Sequence, residues 1–306
     1  MPQINALSLT PAIKDWLANT RHPRILHVFD NACNMLNEQK EILSIVTSQV
    51  GDGPFNLVIN DDVLLSEQIS LESLVSVSPA ELTIGDITIH TADAKLWNPR
   101  PNWEMLHTKM DDVLNRILSL RANDNERSNP FTDLEIAASQ PALLATTSIS
   151  NPLISNLSIA IANADIPLAL TQTSKLAGLG IGLTPSGDDF IMGALYAAWI
   201  IHLQGTASLL AKEIANTAAP LTTSLSAAWL RSAGRGEAGI LWHEFFDVLV
   251  RGESVELPIT KLLSVGETSG ADALTGFLGV MSAFKERIPG SVTNCAWVQF
   301  VTVGII

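Results

Sequence analysis

The sequence predicts an α+β protein in which a β-rich domain, residues 1–102, precedes a larger α-helical domain, residues 103–306. Two observations support this fold class. Short apolar runs bounded by turn residues dominate the first hundred positions, a pattern typical of β-strands. After the segment 98–102 (NPRPN), apolar residues recur at helical spacing, alanine becomes abundant, and proline and glycine fall between the repeats. We therefore place the domain boundary near residue 102.

The β-rich domain is predicted to contain three early strands and a later hairpin. The early strands are 24–29 (RILHVF), 41–47 (EILSIVT) and 54–60 (PFNLVIN). In the stretch 81–90 (ELTIGDITIH), apolar and polar residues alternate on both sides of Gly85-Asp86. A glycine at the first position of a two-residue turn favours a type II′ hairpin.

The rest of the chain is predicted to be almost entirely helical. The predicted helices are 103–121, 133–145, 152–164, 187–203, 207–218, 222–234, 241–251, 258–263 and 270–287. The tail, 291–306, is apolar and β-prone, and the sequence does not decide whether it pairs with a strand or covers a surface.

Composition excludes several classes of protein. The chain has 306 residues, with 18 Lys and Arg against 31 Asp and Glu, a net charge of −13, and 47% hydrophobic residues. Disordered chains are poorer in apolar residues and richer in charge. A pI near 4.8 argues against a general nucleic-acid binder, which needs a basic face. So few charges on a long chain suggest surface buried between subunits, so we expect an oligomer.

Membrane, secretory and metal-binding signals are missing from the sequence. The apolar run 190–203 has 14 residues including His202, whereas a membrane-spanning helix needs about 20, so we predict a buried core helix. The N-terminus lacks a basic start followed by an apolar run. Cys33 and Cys295 are too few for a disulfide framework, and the six His residues show no ligand spacing. We expect a cytoplasmic protein without a membrane segment, metal or cofactor.

The most informative stretch is the glycine loop, residues 178–182 (GLGIG), which is followed by a predicted helix start. Glycine lets other groups approach the main chain, and a helix start presents free N–H groups and the positive end of the helix dipole. Together they make a plausible phosphate site. Neither the P-loop pattern nor GxGxxG matches, because no Lys-Ser/Thr pair follows and the glycine spacing differs.

The helix start after the loop has two interpretations. Thr184 is the N-cap with Pro185 at the first helical position, or Ser186 is the N-cap and Asp189 reaches back as in a capping box. Under either interpretation, Asp188 and Asp189 have an alternative role as first-turn acids that complement the helix dipole.

The pattern at this helix start recurs 83 positions later. Ser186-Gly187-x-Asp189-x-x-x-Gly193 is repeated as Ser269-Gly270-x-Asp272-x-x-x-Gly276, and a threonine (Thr184, Thr268) precedes each copy. Two such helix starts, if they meet, direct several N–H groups at one ligand. Each final glycine lies one helical turn after its aspartate, where a missing side chain permits close packing. The alternative is two similarly capped helices that only cross closely.

A third segment, 222–237, places Arg231 and Arg235 four residues apart on one helix face. Paired guanidinium groups suit a carboxylate or phosphate ligand. Solvated surface arginines are the alternative interpretation.

The three segments together resemble a known family. GLGIGLTPSGDDFIMG (178–193), TTSLSAAWLRSAGRG (222–236) and VGETSGADALTGFLG (265–279) resemble, in the same order, three blocks of the AllH-like family. The N-terminal FDNACNMLNEQKEILSIV (29–46) and GDGPFNLVI (51–59) resemble its opening, so the likeness covers about residues 24–285. The family commonly has His where this chain has Glu267.

The resemblance implies a subunit of oxamate carbamoyltransferase in anaerobic allantoin and purine breakdown, acting with an FdrA-like subunit and a second partner subunit. The reaction interconverts oxalurate and phosphate with oxamate and carbamoyl phosphate. In this reading the glycine loop and helix starts hold phosphate and the oxyanion, and Arg231 or Arg235 clamps the carboxylate. Asp189 or Asp272 orients or deprotonates the amide nitrogen. The alternative is a non-catalytic anion-binding or assembly subunit.

The residues implied in this site form two groups. Asp189 and Asp272 are expected to be catalytic. The residues expected to bind substrate or phosphate are Gly180, Gly182, Thr184, Ser186, Gly187, Asp188, Arg231, Thr268, Ser269 and Gly270.

Overall fold

A computed structural model describes residues 3–61, 63–122 and 141–287. It is α+β, as the sequence predicts. The described chain divides into two compact units. The first contains residues 3–101 together with 237–240, and the second contains the described residues of 102–236 and 241–287.

The first unit contains two sheets. Its strands are β1 Gln3–Asn5, β2 Ser8–Leu9, β3 Arg24–Val28, β4 Ala32–Leu36, β5 Ile42–Thr47, β6 Asn56–Ile59, β7 Val75–Ser78, β8 Glu81–Ile84, β9 Ile87–His90 and β10 Lys95–Leu96. One sheet has the order β1-β9-β8-β7 and the other the order β10-β2-β6-β5-β4-β3. Two helices, α1 Pro11–Asn19 and α2 Leu65–Gln68, belong to this unit. Every residue of the central strands β5 and β6 is buried, which explains their nearly continuous apolar sequences.

The structure confirms the predicted strands and hairpin, with shorter ends. Strands β8 and β9 pair antiparallel from Glu81 with His90 to Ile84 with Ile87. Gly85 has a φ of +56°, and Asp86 is not among the residues with positive φ, as expected for a type II′ turn. Strand β4, which contains Asn34, is not among the strands that the sequence pattern predicts. That polar side chain is tolerated in the sheet because the Ser44 hydroxyl of β5 donates to it at 2.5 Å.

The second unit is helical throughout its described part. Its helices are α3 Trp103–Thr108, α4 Met110–Ala122, α5 Pro141–Ala162, α6 Ile166–Leu176, α7 Ser186–Ile201, α8 Gln204–Ala218, α9 Ser224–Gly234, α10 Ile240–Arg251, α11 Glu256–Leu263 and α12 Ser269–Glu286. Residues 133–140 of one predicted helix and the tail 291–306 lie outside the described residues.

Three helix predictions need correction. The predicted helices 133–145 and 152–164 form, over their described residues, one helix, Pro141–Ala162, which contains Pro152. The predicted helix 103–121 is two helices, since the chain turns at Lys109 with φ −99° and ψ 18°. The sequence analysis missed α6, whose Thr and Gln residues obscure the apolar stripe. Gln172 and Thr173 are nevertheless buried in that helix, and the Asp165 carboxylate caps its first turn.

Helix α7 is the centre of the second unit. Nearly all its residues are buried, so the predicted core helix is confirmed. Aromatic rings pack around its second half, and this cluster comprises Trp103, Tyr196, Trp199, Trp242, Phe245, Phe246 and Phe277. Offset and edge-to-face contacts between such rings stabilise a core beyond the area they bury. The ring cluster therefore fixes the second half of α7, and the glycine loop leads into its N-terminus.

No helix among the described residues has the length and apolar character needed to cross a membrane.

Candidate functional site

Helices α7 and α12, which carry the two copies of the repeated pattern, cross in backbone contact. A Cβ atom added to Gly193 would lie 1.7 Å from the Ala273 carbonyl oxygen, and one added to Gly276 would lie 2.0 Å from the Phe190 carbonyl oxygen. Neither position has room for any side chain. The close packing predicted at Gly193 and Gly276 is confirmed.

The contacts between the two helices are reciprocal. Each glycine packs against the residue that follows the aspartate of the other copy, because Phe190 follows Asp189 and Ala273 follows Asp272. The hydrogen bonds of the two aspartates are reciprocal as well, because each aspartate is bound by the serine of the other copy. Asp189 is hydrogen-bonded by Ser269, and Asp272 is hydrogen-bonded by Ser186. The repeated sequence pattern therefore describes two helix starts that complete each other.

Both predicted capping arrangements at α7 are wrong. Pro185 occupies the N-cap position without a side-chain cap, and its carbonyl accepts from the backbone N–H groups of Asp188 and Asp189. The side chains expected to cap are used across the helix pair instead. Thr184 and Ser269 hydroxyl oxygens lie 2.8 Å apart, and Asp189 is bound by both. The side chains that a local cap would use therefore form hydrogen bonds between α7 and α12.

The glycine loop is built from left-handed backbone conformations. Gly178, Gly180 and Gly182 have φ values of +74°, +125° and +91°, which side-chain-bearing residues rarely adopt. Gly178 approaches the Leu221 carbonyl, where an added Cβ would lie 2.4 Å from the oxygen. Gly182 is exposed, and an added Cβ would meet nothing within 4 Å. The end of the loop at Gly182 therefore leaves its backbone open to a ligand.

Asp188 ties the loop to a third helix start, that of α9. Its carboxylate is 1% exposed and accepts from the Gly178 backbone N–H at 2.8 Å and from the Ser226 hydroxyl at 2.7 Å. The Thr222 hydroxyl donates to the second carboxylate oxygen as well. Both oxygens are occupied by protein donors, so this side chain shapes the loop. It also lies in the first turn of α7, where an acidic side chain complements the helix dipole.

Helix α9 is capped in a way that brings it to the same loop. Thr223 caps the Ser226 backbone N–H at 3.1 Å and donates its hydroxyl to the Leu183 carbonyl at 2.5 Å. We call the glycine loop and the starts of α7, α9 and α12 the helix-start cluster, which comprises residues 178–189, 222–226 and 268–272. Three helix dipoles converge with their positive ends, an arrangement suited to a small anion.

The helix-start cluster also holds two buried carboxyl groups with unsatisfied oxygens. Asp189 is 4% exposed and Asp272 3% exposed, and Oδ2 of each has no hydrogen-bond partner. Burial raises the pKa of Asp189 well above its ordinary value, and the nearby Asp272 charge raises it further, against hydrogen bonds from Ser269 and Thr184. Burial raises the pKa of Asp272 to about 6, opposed by hydrogen bonds from Ser186 and Thr268. Such a pair is suited to proton transfer near neutral pH.

The raised pKa of Asp272 predicts a specific dependence of stability on pH. Between the ordinary pKa of 3.8 and the folded value of about 6, the folded state keeps a proton that the unfolded chain releases. The contribution of Asp272 to the free energy of unfolding is therefore largest below the lower value, declines as the pH rises through the higher one, and is constant above it.

Asp272→Asn is expected to remove this decline, so that the variant gains stability relative to the wild type as the pH rises through that window. Urea denaturation at half-unit pH intervals measures the difference. A difference between the two proteins that stays constant over the window would contradict the raised pKa.

The structure does not bring the predicted arginine clamp to the helix-start cluster. Arg231 lies on the last turn of α9 and is exposed, about 10 Å along the helix axis from the first residue, Ser224. Arg235 follows the helix, is exposed, and donates to the Ser232 hydroxyl at 3.1 Å. Both arginines therefore lie at the C-terminal end of α9, away from its start.

Sequence reasoning missed two residues of the cluster, Thr222 and Ser226. Both bind Asp188 and so fix the glycine loop. Their signal was the hydroxyl-rich start of segment 222–226 (TTSLS), which marks a helix N-terminus. That signal does not reveal which loop the helix start contacts.

Within the described part of the chain, no group of three or more His, Cys, Asp or Glu side chains is placed to hold a metal ion.

Comparison with known families extends over both units. Residues 176–281 match the family model described as oxamate carbamoyltransferase subunit AllH, and residues 5–96 match the model described as AllH family N-terminal domain. No solved structure matches the chain. The first of these matches includes the glycine loop, both copies of the repeated pattern, and α9.

Proposed function

The chain belongs to the AllH family, and on that premise we propose that it supplies catalytic residues to a multi-subunit oxamate carbamoyltransferase. The proposed reaction converts oxalurate and phosphate to oxamate and carbamoyl phosphate in allantoin and purine catabolism. The proposed partners are an FdrA-like subunit and a second carbamoyltransferase subunit. The observation that carries the proposal is the convergence of three helix starts on an open glycine loop beside two buried carboxyl groups.

The helix-start cluster fits the anionic groups of this reaction. A phosphate oxygen attacks the ureido carbonyl carbon of oxalurate, which creates an oxyanion before the bond to the oxamate nitrogen breaks. Backbone N–H groups and helix dipoles stabilise both the phosphate and such an oxyanion without a formal positive charge. Gly182 leaves its backbone accessible, and the hydroxyl groups of Thr184, Ser186, Thr268 and Ser269 hold the two carboxyl groups in place.

The two carboxyl groups fit the proton transfers. In the direction of oxamate formation, the C–N bond breaks and the departing amide nitrogen needs one proton, while the attacking hydrogen phosphate loses one. We assign Asp189, whose pKa is the more strongly raised, as the acid that protonates the nitrogen. Asp272, with a pKa of about 6, is ionised at neutral pH and serves as the base that accepts the phosphate proton. In the reverse direction the roles exchange.

The oxamate carboxylate is not assigned to the cluster. Arg231, which the sequence pattern suggested for it, lies five residues beyond Ser226, about 7.5 Å of helix rise from the last cluster residue on α9. Gly187 and Gly270 are likewise assigned to packing, because added Cβ atoms would lie 2.2 Å from the Leu176 carbonyl oxygen and 1.8 Å from that of Leu262. Asp188 is assigned to positioning the loop.

The proposal is tested with the chain alone and with its proposed partner subunits. We expect phosphate and carbamoyl phosphate to raise the melting temperature of the chain, and the assembled complex to form oxamate from oxalurate and phosphate. Thermal shift and a product assay measure the two effects. Stabilisation by anions without turnover in any combination of subunits would favour the alternative, a non-catalytic anion-binding or assembly subunit.

A further inference from the structure

Two of the helix starts belong to helix–loop–helix segments that share a further feature. The first segment joins α6 to α7, and the second joins α11 to α12. A Lys-Leu pair lies in the last turn of the first helix of each segment, Lys175-Leu176 in α6 and Lys261-Leu262 in α11. The two lysines therefore precede the two copies of the repeated pattern at comparable places.

Backbone contacts show that these places are structurally equivalent. In both segments the leucine carbonyl accepts from the backbone N–H three residues later at 3.1 Å. It also packs against the glycine of the following Ser-Gly pair. A Cβ added to Gly187 would lie 2.2 Å from the Leu176 carbonyl oxygen. One added to Gly270 would lie 1.8 Å from the Leu262 carbonyl oxygen, so each lysine lies one residue before the same contact.

The two segments differ in the length of the loop. Gly187 follows Leu176 by 11 positions, whereas Gly270 follows Leu262 by 8, so the first loop is three residues longer. The longer loop contains the glycine loop, whose backbone is open at Gly182. The accessible backbone at these two helix starts therefore lies in the segment that carries the first lysine.

The two lysines also differ in their partners. Lys261 Nζ lies 2.7 Å from the carboxylate of Glu244 on α10, so its charge is already paired. Lys175 is exposed, and its side chain forms no ion pair or hydrogen bond within the part of the chain that the structure describes. Of two equivalent lysines, the one beside the open loop keeps its charge available for a ligand.

Lys175 is also the cation that the segments around the helix-start cluster provide. Residues 166–189, 221–226 and 264–272 contain no other Lys or Arg. The neighbouring Leu176 packs against the start of α7, which places the lysine backbone close to that helix start. An ammonium group on a flexible four-carbon stem can therefore meet an anion held there.

The substrate of the proposed reaction has a carboxylate close to its reacting carbon. In oxalurate, the ureido carbonyl carbon and the carboxylate carbon are the two substituents of one amide bond. They correspond to successive Cα atoms of a peptide, so the trans form separates them by about 3.8 Å. With the reacting carbon at the helix starts, the carboxylate lies in the same cluster. A cation is needed there, because the backbone N–H groups serve the phosphate and the oxyanion.

We propose that Lys175 binds the carboxylate of oxalurate and of oxamate, and so determines the specificity of the site for an acid. This inference rests on the proposed function, because that reaction supplies the carboxylate. Hydrogen bonds between an ammonium group and a carboxylate are shorter and stronger than neutral ones. Lys175 thus takes the role that the sequence pattern suggested for Arg231.

The test is the steady-state kinetics of the assembled complex. Lys175→Met is expected to raise the KM for oxalurate by about 10- to 100-fold, because methionine keeps much of the apolar stem but lacks the charged donor. The KM for phosphate is expected to stay unchanged. Lys175→Arg keeps a cation and is expected to retain most of the affinity for oxalurate. Lys261→Met is the matched control at the equivalent position and is expected to behave like wild type.

Melting temperatures show that each variant folds. A KM for oxalurate that Lys175→Met leaves unchanged, or a rise confined to the KM for phosphate, would overturn the assignment. Loss of stability with unchanged kinetics would show that Lys175 only complements the negative end of the α6 dipole, and would overturn it as well.

Calorimetric titration of the full chain with oxamate separates this inference from the proposed function. The wild type is expected to bind oxamate, and Lys175→Met to bind it about tenfold more weakly or worse. Oxamate binding that depends on Lys175, in a complex that never turns over, would overturn the proposed function alone. Turnover with the same KM for oxalurate in both proteins would overturn the role of Lys175 alone. Absence of both oxamate binding and turnover would overturn both.

Discussion

Asp189→Asn is expected to lower the turnover of the assembled complex by about 10²- to 10⁴-fold, the range typical for loss of a general acid or base. Asparagine keeps the size and shape of the side chain but cannot exchange a proton with the amide nitrogen. The fold should tolerate the change, because burial already favours the neutral form of Asp189 and its Oδ2 has no protein partner to lose. A steady-state product assay and a urea denaturation curve measure the two effects.

The control for Asp189 is Asp247→Asn, an exposed carboxyl on α10, which is expected to leave turnover unchanged. Asp272→Asn should lower turnover as well. In the wild type, turnover is expected to rise with pH as Asp272 ionises near 6, and the variant should lose this rise. Unchanged turnover of a complex that carries both Asp189→Asn and Asp272→Asn would remove the acid and base assignment.

Gly193→Ala is expected to lower the free energy of unfolding by about 3 kcal/mol, at the upper end of the usual cost of overpacking. The added methyl group would lie 1.7 Å from the Ala273 carbonyl oxygen, so α7 and α12 must separate. Because the same crossing aligns the two helix starts, turnover of the complex should fall with stability. Urea denaturation followed by circular dichroism measures the loss.

Gly205→Ala provides the matched control on a neighbouring helix. An added Cβ there meets nothing within 4 Å, and alanine in a helix is favoured over glycine by roughly 0.5–1 kcal/mol. This variant is therefore expected to be as stable as the wild type or more so. Equal stabilities of Gly193→Ala and Gly205→Ala would contradict the backbone contact between the two helices.

Sequence patterns were sufficient to predict those elements whose physical cause lies within a short stretch of sequence. The hairpin at residues 81–90 follows from alternating apolar residues and one glycine in the turn, and the structure has it in the predicted register. The buried character of α7 follows from its apolar run. Strand β4 was missed because it contains the polar residue Asn34. This side chain is bound by Ser44 on a neighbouring strand, a contact that the periodicity of a single segment cannot reveal.

The candidate site divides in the same way. The repeated Ser-Gly-x-Asp pattern and its later glycines predicted two helices that meet, since glycine at such spacing has a steric reason. The capping prediction failed because Thr184 and Ser269 bind each other across 85 positions of sequence. Arg231 was expected near the glycine loop because the start of its segment lies there. Arg231 itself is in the last turn of α9, about 10 Å along the helix axis from Ser224.

By itself, the sequence determined the α+β class, the family, the glycine loop and the two helix starts, because each depends on local periodicity, on glycine sterics or on residues read in order. Only the tertiary structure decided how the acidic residues are used. Asp188 is enclosed by Gly178 and Ser226, whereas Asp189 and Asp272 exchange their serine partners and keep one oxygen unsatisfied. Neighbouring residues in one pattern thus acquire different chemistry, because burial and hydrogen bonding are set by helices that are distant in sequence.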